Sequence, residues 1–512
     1  MGISTSAEAD EGLCTLSPCR LLKKSWIKTF RLRQSLFCKS LQKIPLQFPE
    51  VSAIISLYLL WTGDVMTARM DEREFKIQFT RKALAALIVP LIIEQMLGLL
   101  MGIVDTMMVS GLGDAAVSGV SLVDMLCALF INMFGALATG GAVVASRAIG
   151  AGDPQKARRS AVGLMLISLT ASLLIMGVVY AADVRLIRLL YGELEAEVSS
   201  AARTYMLVTA ISFPFLALYN GAAALFRSMG NSKISMYCSM FVNALNVAGN
   251  ALCIYVLHLG VFGAALATVV GRIAACVFLM IRIGDCRLPI HIDYRRLFRD
   301  KIDGTLVRNI LAVGVPGSLE SGTFQLGRVL VLGIISSCGT VQIAANAVAN
   351  NIDSFGVMPG FAFSLAIVTV VGQCVGAGDL RAARFYAYKI MKYCYISLLI
   401  VNVGIFAFLP FVLGFYSVSA EAAELARILI WIHNGFAVLL WTPSFVLPNA
   451  MKATGDAKYV MIVSMISMFV FRVLLSSVLG MGAIGVWCAM VVDWICRITC
   501  FWIRWRKTVC RE

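Results

Sequence analysis

The sequence predicts an all-α polytopic membrane protein, with twelve transmembrane helices in two six-helix lobes related by a pseudo-two-fold axis along the membrane normal. Composition is the first reason: 59% of the 512 residues are hydrophobic and 14% are charged, whereas soluble domains average about 45–50% and about 25%. The second reason is the number of long apolar segments. The third is a repeat, because the second half of the chain restates the first.

One basic, glycine-rich phrase occurs twice. GAGDPQKARRSA begins at Gly150 and GAGDLRAARFYA begins at Gly376, a spacing of 226 residues. The same spacing separates Glu94 from Glu320, and each acid follows a Val-Pro pair by about one helical turn. Self-similarity at a fixed spacing indicates a duplicated unit. Six spans per copy is an even number, so both copies insert in the same direction.

Twelve apolar segments are long enough to cross a bilayer, which takes about 20 residues of helix. Backbone groups in lipid must be satisfied within the segment, so these segments are predicted as helices. The predicted spans are 83–109, 115–146, 160–182, 200–225, 234–256, 261–283, 309–336, 341–374, 388–413, 423–449, 459–479 and 482–503.

Lys and Arg cluster in every second connection. The loops after spans two, four and eight are basic, whereas the loops SGLGDAA and HLGVFG contain neither residue. Because cytoplasmic loops carry the excess of Lys and Arg, both termini are predicted to face the cytoplasm. We therefore expect a multi-pass protein of the cell membrane (plasma or inner), with both GAGD phrases on its cytoplasmic side.

Gly-Ala-Gly-Asp is predicted as a tight turn between helices. Gly adopts backbone angles that other residues avoid, and Asp153 and Asp379 can cap the helices that follow. A phosphate-binding loop is the alternative, but the phrase lacks the Gly-Lys-Ser/Thr ending and follows a helix rather than a strand. We expect the two turns at matching corners of the two lobes.

The chain is predicted to divide where its composition changes. Residues 1–69 hold basic clusters and one apolar run too short to cross a bilayer. We expect this part to be a poorly ordered basic extension, with Met66 or Met70 as an alternative start. The further predicted parts are an N-lobe over 70–284, a cytoplasmic connection that acts as a hinge over 285–308, a C-lobe over 309–503 and a cytoplasmic tail over 504–512.

Four carboxylates lie inside the predicted spans, where an ionisable group is expensive unless it faces a cavity or a partner. Glu94 and Glu320 lie near the middle of spans one and seven, after a proline that allows a bend. Asp105 lies 11 residues beyond Glu94, on the same helix face. Asp353 lies in an amide-rich stretch of span eight. We predict these four as ion-coupling or substrate-binding residues; the alternative for the glutamates is a fixed pair with a buried base.

Further polar residues within the spans are given secondary roles. Asp124 in span two, and Asn350 and Asn351 in span eight, are predicted to line a wet cavity or to bridge helices. Arg472 in span eleven and Asp493 in span twelve are predicted to form a structural ion pair.

The sequence argues against several other classes of protein. Its basic residues lie in short clusters between apolar runs, which is typical of topology signals rather than of nucleic-acid binding. The 15 Cys and 3 His residues include no Cys-x-x-Cys pair or metal-ligand cluster, so we expect no metal site and no disulfide framework. No nucleophile elbow, His-Glu-x-x-His or nucleotide motif is present, so neither an enzyme nor a bound cofactor is predicted.

Five stretches resemble the multidrug and toxic compound extrusion (MATE) family. They are VDTMMVSGLGDAAVSGVSL, GAVVASRAIGAGD, PGSLESGTFQLGRVLVL, AANAVANNIDSF and VVGQCVGAGD. The resemblance covers about residues 80–503, and it implies a twelve-helix, two-lobed exporter that exchanges drugs or metabolites for protons or sodium. It also implies that Asp105 is the cation-coupling residue of the first helix. Glu320 is similar to the seventh-helix acid of other branches.

The sequence departs from the family pattern at two ion sites. One branch carries an Asp in its fifth helix, where this chain has Asn250. Another branch carries an Asp in its tenth helix, where this chain has only His433 and Asn434. These three residues are predicted as secondary polar lining, and the coupling ion stays open between H+ and Na+.

The resemblance leaves two functions open. The first is secondary active efflux by antiport, with alternating access between the lobes. Its substrates would be small, amphipathic and cationic or zwitterionic, held by acids, amides and Met or aromatic surface. We expect a monomer in contact with membrane lipids and without a nucleic-acid partner. The alternative is a lipid-linked oligosaccharide flippase of the same superfamily fold, which would need a basic central cavity. Arg472, in span eleven, is the one residue that favours this alternative.

Overall fold

The structure, a computed structural model, describes residues 75–192, 194–293, 303–416 and 418–509. All of them belong to one structural unit, Thr62–Glu512. The predicted N-terminal extension lies outside the described residues, as does the middle of the connection between the lobes.

Six helices form the N-lobe. They are α1 (Arg81–Ser110), α2 (Asp114–Gly150), α3 (Pro154–Tyr191), α4 in two parts (Ala196–Ala210 and Phe213–Ser228), α5 (Lys233–Val256) and α6 (Gly260–Ile283). The two parts of α4 meet at a bend of 51°. Pro214 lies in the first turn of the second part, and its missing backbone N–H removes a hydrogen bond that would continue the helix.

Six further helices form the C-lobe. They are α7 (Gly304–Ser336), α8 (Thr340–Gly376), α9 (Leu380–Gly414), α10 (Ala420–Thr454), α11 (Ala457–Leu479) and α12 (Gly482–Val509). Short π-helical segments interrupt α10 at Thr442–Val446 and α11 at Met468–Leu474, and another ends α5 at Ala251–Val256.

Ten of these helices have the length and composition of membrane spans, and the bent α4 makes an eleventh. The twelfth, α7, is 33 residues long, which is about 50 Å. It carries Arg308, Glu320 and Arg328 along its length. The predicted all-α fold of twelve helices in two lobes is confirmed, and the protein is a multi-pass membrane protein.

Several helices extend past the predicted spans. Span two is predicted over 115–146, whereas α2 continues to Gly150 and α3 begins at Pro154. Likewise, α7 begins at Gly304, inside the predicted connection, and α12 continues into the predicted tail as far as Val509. Hydropathy marks where a chain leaves the bilayer, while helical hydrogen bonding continues until a glycine or a capping residue ends it.

Two apolar clusters form the core of the N-lobe. One packs around Leu164, Leu225 and Phe226, beside the ends of α2 and α4. The other packs at the opposite end of the lobe and includes Val109 and Val120, which also line the polar pocket described below.

The two GAGD turns share one geometry. Gly152 and Gly378 have φ angles of 70° and 69°, in the left-handed region that favours glycine. Asp153 and Asp379 each accept a hydrogen bond at 2.9 Å from a backbone N–H in the first turn of the next helix. The predicted helix caps are confirmed, and each turn joins two long helices as a fixed corner.

Both turns lie at one end of the two lobes, which we name the GAGD face. Helices α2 and α8 meet there through their last glycines. A Cβ atom added to Gly150 would stand 1.9 Å from the Gln373 carbonyl oxygen, and one added to Gly376 would stand 2.0 Å from the Arg147 carbonyl oxygen. The repeated phrase therefore places the backbone of one lobe directly against the backbone of the other.

Hydrogen bonds repeat the symmetry of this contact. Arg147 Nη2 donates to the Ala453 carbonyl oxygen at 2.7 Å, and Gln373 Nε2 donates to the Ser228 carbonyl oxygen at 2.8 Å. In both cases, a side chain from the second helix of one lobe holds the end of the fourth helix of the other lobe. The two lobes are thus joined by equivalent bonds on either side of the pseudo-two-fold axis.

The segment before α1 also lies on the GAGD face. The Lys76 backbone N–H donates to Asp379 Oδ2 at 3.1 Å, and the Phe79 backbone N–H donates to the Tyr386 hydroxyl at 2.8 Å. These bonds tie the start of the N-lobe to the second GAGD turn.

Contact between the lobes continues from the GAGD face to the middle of α2 and α7. Gly140 packs against the backbone of Gly314, and Ser318 Oγ donates to the Met133 carbonyl oxygen at 2.9 Å. These small residues let the two helices approach closely. The lobes are therefore closed against each other over the half of the structure next to the GAGD face.

Candidate functional site

A small pocket with a cavity volume of about 20 Å³ lies inside the N-lobe, among α1, α2, α4, α5 and α6. Its polar lining consists of Asp105, Thr106, Ser121, Asp124, Tyr205, Asn250 and Thr268. Three of the predicted site residues, Asp105, Asp124 and Asn250, therefore meet in one place. The pocket lies toward the end of the lobe opposite the GAGD face.

Asp105 and Asn250 form the hydrogen-bonded centre of this pocket. Asn250 Nδ2 donates to Asp105 Oδ1 at 2.7 Å and to Asn246 Oδ1 at 3.0 Å. Asn250 Oδ1 is buried and has no hydrogen-bond partner among the described residues. A buried acceptor without a donor costs about 1–3 kcal/mol. The site is therefore suited to a cation or a proton donor that supplies the missing contact.

Asp124 adds a second carboxylate to the pocket. It accepts a hydrogen bond from the Tyr205 hydroxyl and lies close enough to Asp105 for the two charges to interact. The guanidinium of Arg272 lies near both acids and donates to Ser212 Oγ at 2.8 Å. Two carboxylates face this one guanidinium, so the pocket keeps an excess of negative charge.

Asp353, in α8, occupies a separate site inside the C-lobe. It is 5% exposed, and neither of its carboxylate oxygens has a hydrogen-bond partner among the described residues. His433 Nδ1 lies 3.5 Å from Asp353 Oδ2 and 2.8 Å from Asn434 Oδ1. The rings of Trp487 and Trp494 pack edge-on against His433. The C-lobe thus joins three further predicted residues in one buried cluster.

Asn350 and Asn351 do not join this cluster. Asn350 Nδ2 donates to the Asn346 carbonyl oxygen of its own helix at 2.8 Å, and Asn351 is exposed. An amide that the sequence analysis missed approaches α8 instead: Asn402 Nδ2, in α9, donates to the Gly356 carbonyl oxygen at 3.0 Å. A single amide inside the apolar run of span nine is the signal that could have identified it.

Glu94 is bound to a base and to a hydroxyl. Ser235 Oγ donates to Glu94 Oε2 at 2.8 Å, and Arg227 Nη1 lies 3.8 Å from Glu94 Oε1. Arg227 belongs to the last turn of α4, so Glu94 lies toward the GAGD face and apart from the Asp105 pocket.

Glu320 has the equivalent arrangement in the C-lobe. Ser464 Oγ donates to Glu320 Oε1 at 2.8 Å, and Lys452 Nζ lies 2.8 Å from Glu320 Oε2. This geometry corresponds to the alternative of a fixed pair with a buried base, although the base in each lobe is the one that ends its fourth helix. A role of either glutamate in ion coupling stays a prediction.

The ion pair expected between Arg472 and Asp493 is replaced by another. Asp493 Oδ1 lies 3.6 Å from Arg497 Nε, one turn further along α12, and accepts a hydrogen bond from the Ser467 hydroxyl. Arg472 Nη2 instead contacts the Met490 sulfur at 3.2 Å. A base four residues away on the same helix faces Asp493 directly, which explains the exchange of partners.

Arg328, in α7, was missed by the sequence analysis. It lies close enough to His433 and Arg472 for their charges to interact, although its side chain is exposed. A single base within the apolar stretch GRVLVLG is the signal that could have identified it.

Comparison with known proteins agrees with this architecture. A family model named MatE matches residues 90–252 and 316–478. The matched stretches cover more than half of the chain, and they are offset by the spacing of the internal repeat. The chain belongs to the MATE family. MATE proteins are transporters of the multidrug efflux type.

Individual MATE relatives align along most of the chain. YisQ of Bacillus subtilis, named as an uncharacterized transporter, is 27% identical over 432 residues, which cover 82% of this chain and 93% of YisQ. NorM of Thermotoga maritima, named as a probable multidrug resistance protein, is 26% identical over 438 residues, which cover 82% of this chain and 90% of NorM.

Solved structures show the same fold. An outward-facing multidrug resistance MATE family transporter of the MOP superfamily matches with a TM-score of 0.78 at 22% identity, over 84% of this chain and 96% of that one. A MOP superfamily transporter from Pyrococcus furiosus, described as having a binding pocket of reverse polarity, matches with a TM-score of 0.77 at 22% identity, over 84% of this chain and 96% of that one. At this identity, the likeness concerns the fold alone.

Proposed function

We propose that this MATE protein is a secondary active exporter that exchanges small amphipathic compounds for protons or sodium ions. The observation that carries the proposal is the N-lobe pocket, where Asp105 meets Asn250 and the Asn250 Oδ1 atom lacks a partner among the residues that the structure describes. A carboxylate, an open carbonyl acceptor and the Thr268 hydroxyl line one small space. Hard cations take oxygen ligands of these kinds, and the carboxylate can take a proton.

Coupling follows from competition for one negative charge. A carboxyl group in an apolar environment accepts a proton more readily than one in water. When a proton or sodium ion occupies Asp105, the charge that would hold a cationic substrate is neutralised. When the ion leaves, the substrate can bind. Two ligands that weaken each other's binding in this way can be exchanged across the membrane.

The closed GAGD face supports alternating access. Basic residues on the GAGD side favour the cytoplasm for this face and for both termini. Contact through Gly150 and Gly376 then closes the route to the cytoplasm, while the Asp105 pocket lies toward the outer end of the N-lobe. Rocking of one lobe against the other about the connection over 285–308 would reverse this access.

The proposed setting is a monomer in the cell membrane, surrounded by membrane lipids, with cationic or zwitterionic substrates. A lipid-linked oligosaccharide flippase is not favoured as the alternative, because relatives such as NorM are named for multidrug resistance. The basic residue that suggested a flippase, Arg472, packs within the C-lobe with its guanidinium 5.5 Å from the centre of the Phe324 ring.

The test is efflux from proteoliposomes under an imposed pH gradient or an imposed Na+ gradient, with ethidium as a cationic fluorescent probe. Asp105→Asn keeps the shape of the side chain and removes its charge, so gradient-driven efflux should be lost. Asp114→Asn is the matched control, because Asp114 lies in the exposed first turn of α2 and is not part of the pocket lining; its efflux should persist. Undiminished efflux by Asp105→Asn under both gradients would overturn the proposal.

A further inference from the structure

Three arginines from three helices of the C-lobe lie near one another. Arg328 comes from α7, Arg472 from α11 and Arg497 from α12. Arg472 and Arg497 both lie over the Phe324 ring, and Arg328 is close enough to Arg472 for their charges to interact, so we treat the three guanidinium groups as one cluster. A charged group at this depth is expensive unless it has a partner or lines a wet space. The proposed coupling mechanism uses none of the three.

The carboxylates near this cluster do not balance it. Asp493 lies beside Arg497, with 3.6 Å between Oδ1 and Nε, and its charge also acts on Arg472. Glu320 is near enough to Arg497 for their charges to interact, but Lys452 already pairs with it at 2.8 Å. Within the part of the chain that the structure describes, the cluster therefore keeps an excess of positive charge.

The guanidinium groups of Arg472 and Arg497 contact aromatic rings and a methionine sulfur. Arg472 and Arg497 lie over the Phe324 ring, at 5.5 and 6.0 Å from its centre. Arg497 also lies 5.2 Å from the centre of the Phe445 ring, and Arg472 contacts the Met490 sulfur. Cation–π contacts stabilise a charge only partly, because an aromatic ring offers no oxygen acceptor to the N–H groups.

Among the described residues, two buried N–H donors in this region lack an acceptor, Arg472 Nε and Trp494 Nε1. Arg497 Nε makes no hydrogen bond there either, but it faces Asp493 Oδ1 at 3.6 Å. Arg497 and Trp494 are each 2% exposed, and the Trp494 ring packs against Phe445 with 6.0 Å between ring centres. Arg328 is exposed, so one side of the cluster is not enclosed by protein. A set of open donors with excess positive charge is suited to a ligand that brings oxygen acceptors and negative charge.

We propose that the C-lobe binds the oxyanion of an amphipathic aromatic compound, in the form of a carboxylate, sulfonate or phosphate group. Arg472 and Arg497 donate to the oxyanion, since a guanidinium matches the planar geometry of such groups. Trp494 Nε1 supplies a further donor, and the Phe324 and Phe445 rings contact the aromatic body. This proposal rests on the proposed export function and deepens it, because it makes the substrates zwitterionic rather than purely cationic.

The test compares two dyes that differ in one group. Rhodamine 19 carries a free carboxylate, and rhodamine 6G is its ethyl ester. Fluorescence polarisation measures binding of each dye to the full-length protein in phosphatidylcholine nanodiscs, without any ion gradient. The wild type should bind the acid more tightly than the ester. Arg472→Gln should weaken binding of the acid by about tenfold or more and leave binding of the ester unchanged.

Two variants complete the comparison. Arg504→Gln is the matched control, since it also removes one guanidinium but acts on a pair with Asp456 outside the cluster; it should keep the preference for the acid. Trp494→Phe keeps a ring and removes the N–H donor, so it should weaken binding of the acid alone. Thermal unfolding of each variant shows that it is folded before binding is compared.

Three results would overturn the proposal: equal binding of the two dyes by the wild type, equal loss in Arg472→Gln and Arg504→Gln, or unchanged binding of the acid in Arg472→Gln. Adding phosphatidylglycerol to the nanodiscs separates a solute from a lipid. Loss of the preference for the acid at low phosphatidylglycerol content would assign the site to a lipid headgroup and overturn the solute assignment. Because no gradient is used, failure of Asp105-dependent coupling would leave these results unchanged.

Discussion

Replacing Gly376 by Ala should force the GAGD face open. The added Cβ would stand 2.0 Å from the Arg147 carbonyl oxygen and 2.7 Å from the Arg147 carbonyl carbon. Both are backbone atoms, so no side-chain rotation can relieve the overlap. Gly150→Ala is the equivalent change in the other lobe, where the added Cβ would stand 1.9 Å from the Gln373 carbonyl oxygen.

The size of the effect follows from these distances. Carbon and oxygen in a close backbone contact lie about 3.3–3.6 Å apart, so α2 and α8 must separate by roughly 1 Å or more at this point. Overpacking of this kind costs about 1–3 kcal/mol. That cost shifts the balance by about 5–150-fold toward arrangements in which the two lobes are apart at the GAGD face. Export should fall, since each transport cycle returns through the closed arrangement.

Hydrogen–deuterium exchange of the protein in lipid nanodiscs measures this shift. Backbone amides in the last turns of α2 and α8 should exchange faster in Gly376→Ala and in Gly150→Ala than in the wild type. Gly404→Ala is the matched control: it makes the same substitution within α9, where a Cβ would meet nothing within 4 Å. If Gly376→Ala and Gly150→Ala both keep wild-type amide exchange and wild-type export, the role assigned to this backbone contact is refuted.

Two further predictions concern stability. Lys452→Met leaves the buried carboxylate of Glu320 without its base, and should lower the free energy of unfolding by about 3–5 kcal/mol; adding Glu320→Gln should recover most of this loss. Asp153→Ala removes a helix cap and should cost about 1 kcal/mol. Asp379→Ala should cost more, because Asp379 also accepts a hydrogen bond from the Lys76 backbone at 3.1 Å.

Thermal unfolding in detergent, followed by tryptophan fluorescence, measures both effects. Lys458→Met is the control for the first, since Lys458 is exposed on α11 and its loss should leave the unfolding temperature unchanged. No recovery in the double variant would contradict the assignment of the Lys452 partner. Equal costs at the two caps would contradict the contribution of the segment before α1.

Sequence reasoning succeeded where the chemistry is local. The turn at Gly152 needs a left-handed backbone, and Asp153 caps the next helix through a bond that spans three residues. Neighbouring residues in the sequence meet both requirements, and the second copy of the phrase contains the same residues. Hydropathy likewise located every span, since burial in lipid acts on each helix separately.

Pairing between helices could not be predicted in the same way. The acids Glu94 and Glu320 are visible as charges in apolar runs, and the repeat relates them. Which base meets them depends on the rotation and bend of α4 and α10, which one sequence does not specify. Arg227 and Lys452 stand at equivalent places in the two copies. The repeat therefore relates the two bases to each other, but it does not show that they pair with the glutamates.

The π-helical segments are a second feature that the sequence did not reveal. A π turn changes the face on which all later residues of the helix lie, yet its residues have the same apolar composition as their neighbours. In α11, the segment Met468–Leu474 contains Arg472. In α5, the segment Ala251–Val256 begins directly after Asn250. A regular 3.6-residue period therefore does not give the helix face of the residues that follow Asn250 and Arg472.

The backbone contact at the GAGD face has a consequence for how a duplicated gene can change. Main-chain atoms form the closest contact, at Gly150 and Gly376, so the fit between the two halves depends little on which side chains each half carries elsewhere. Each copy is then free to accumulate different charges without losing its match to the other. An acidic interior in one half and an arginine-rich interior in the other can thus descend from one ancestral unit.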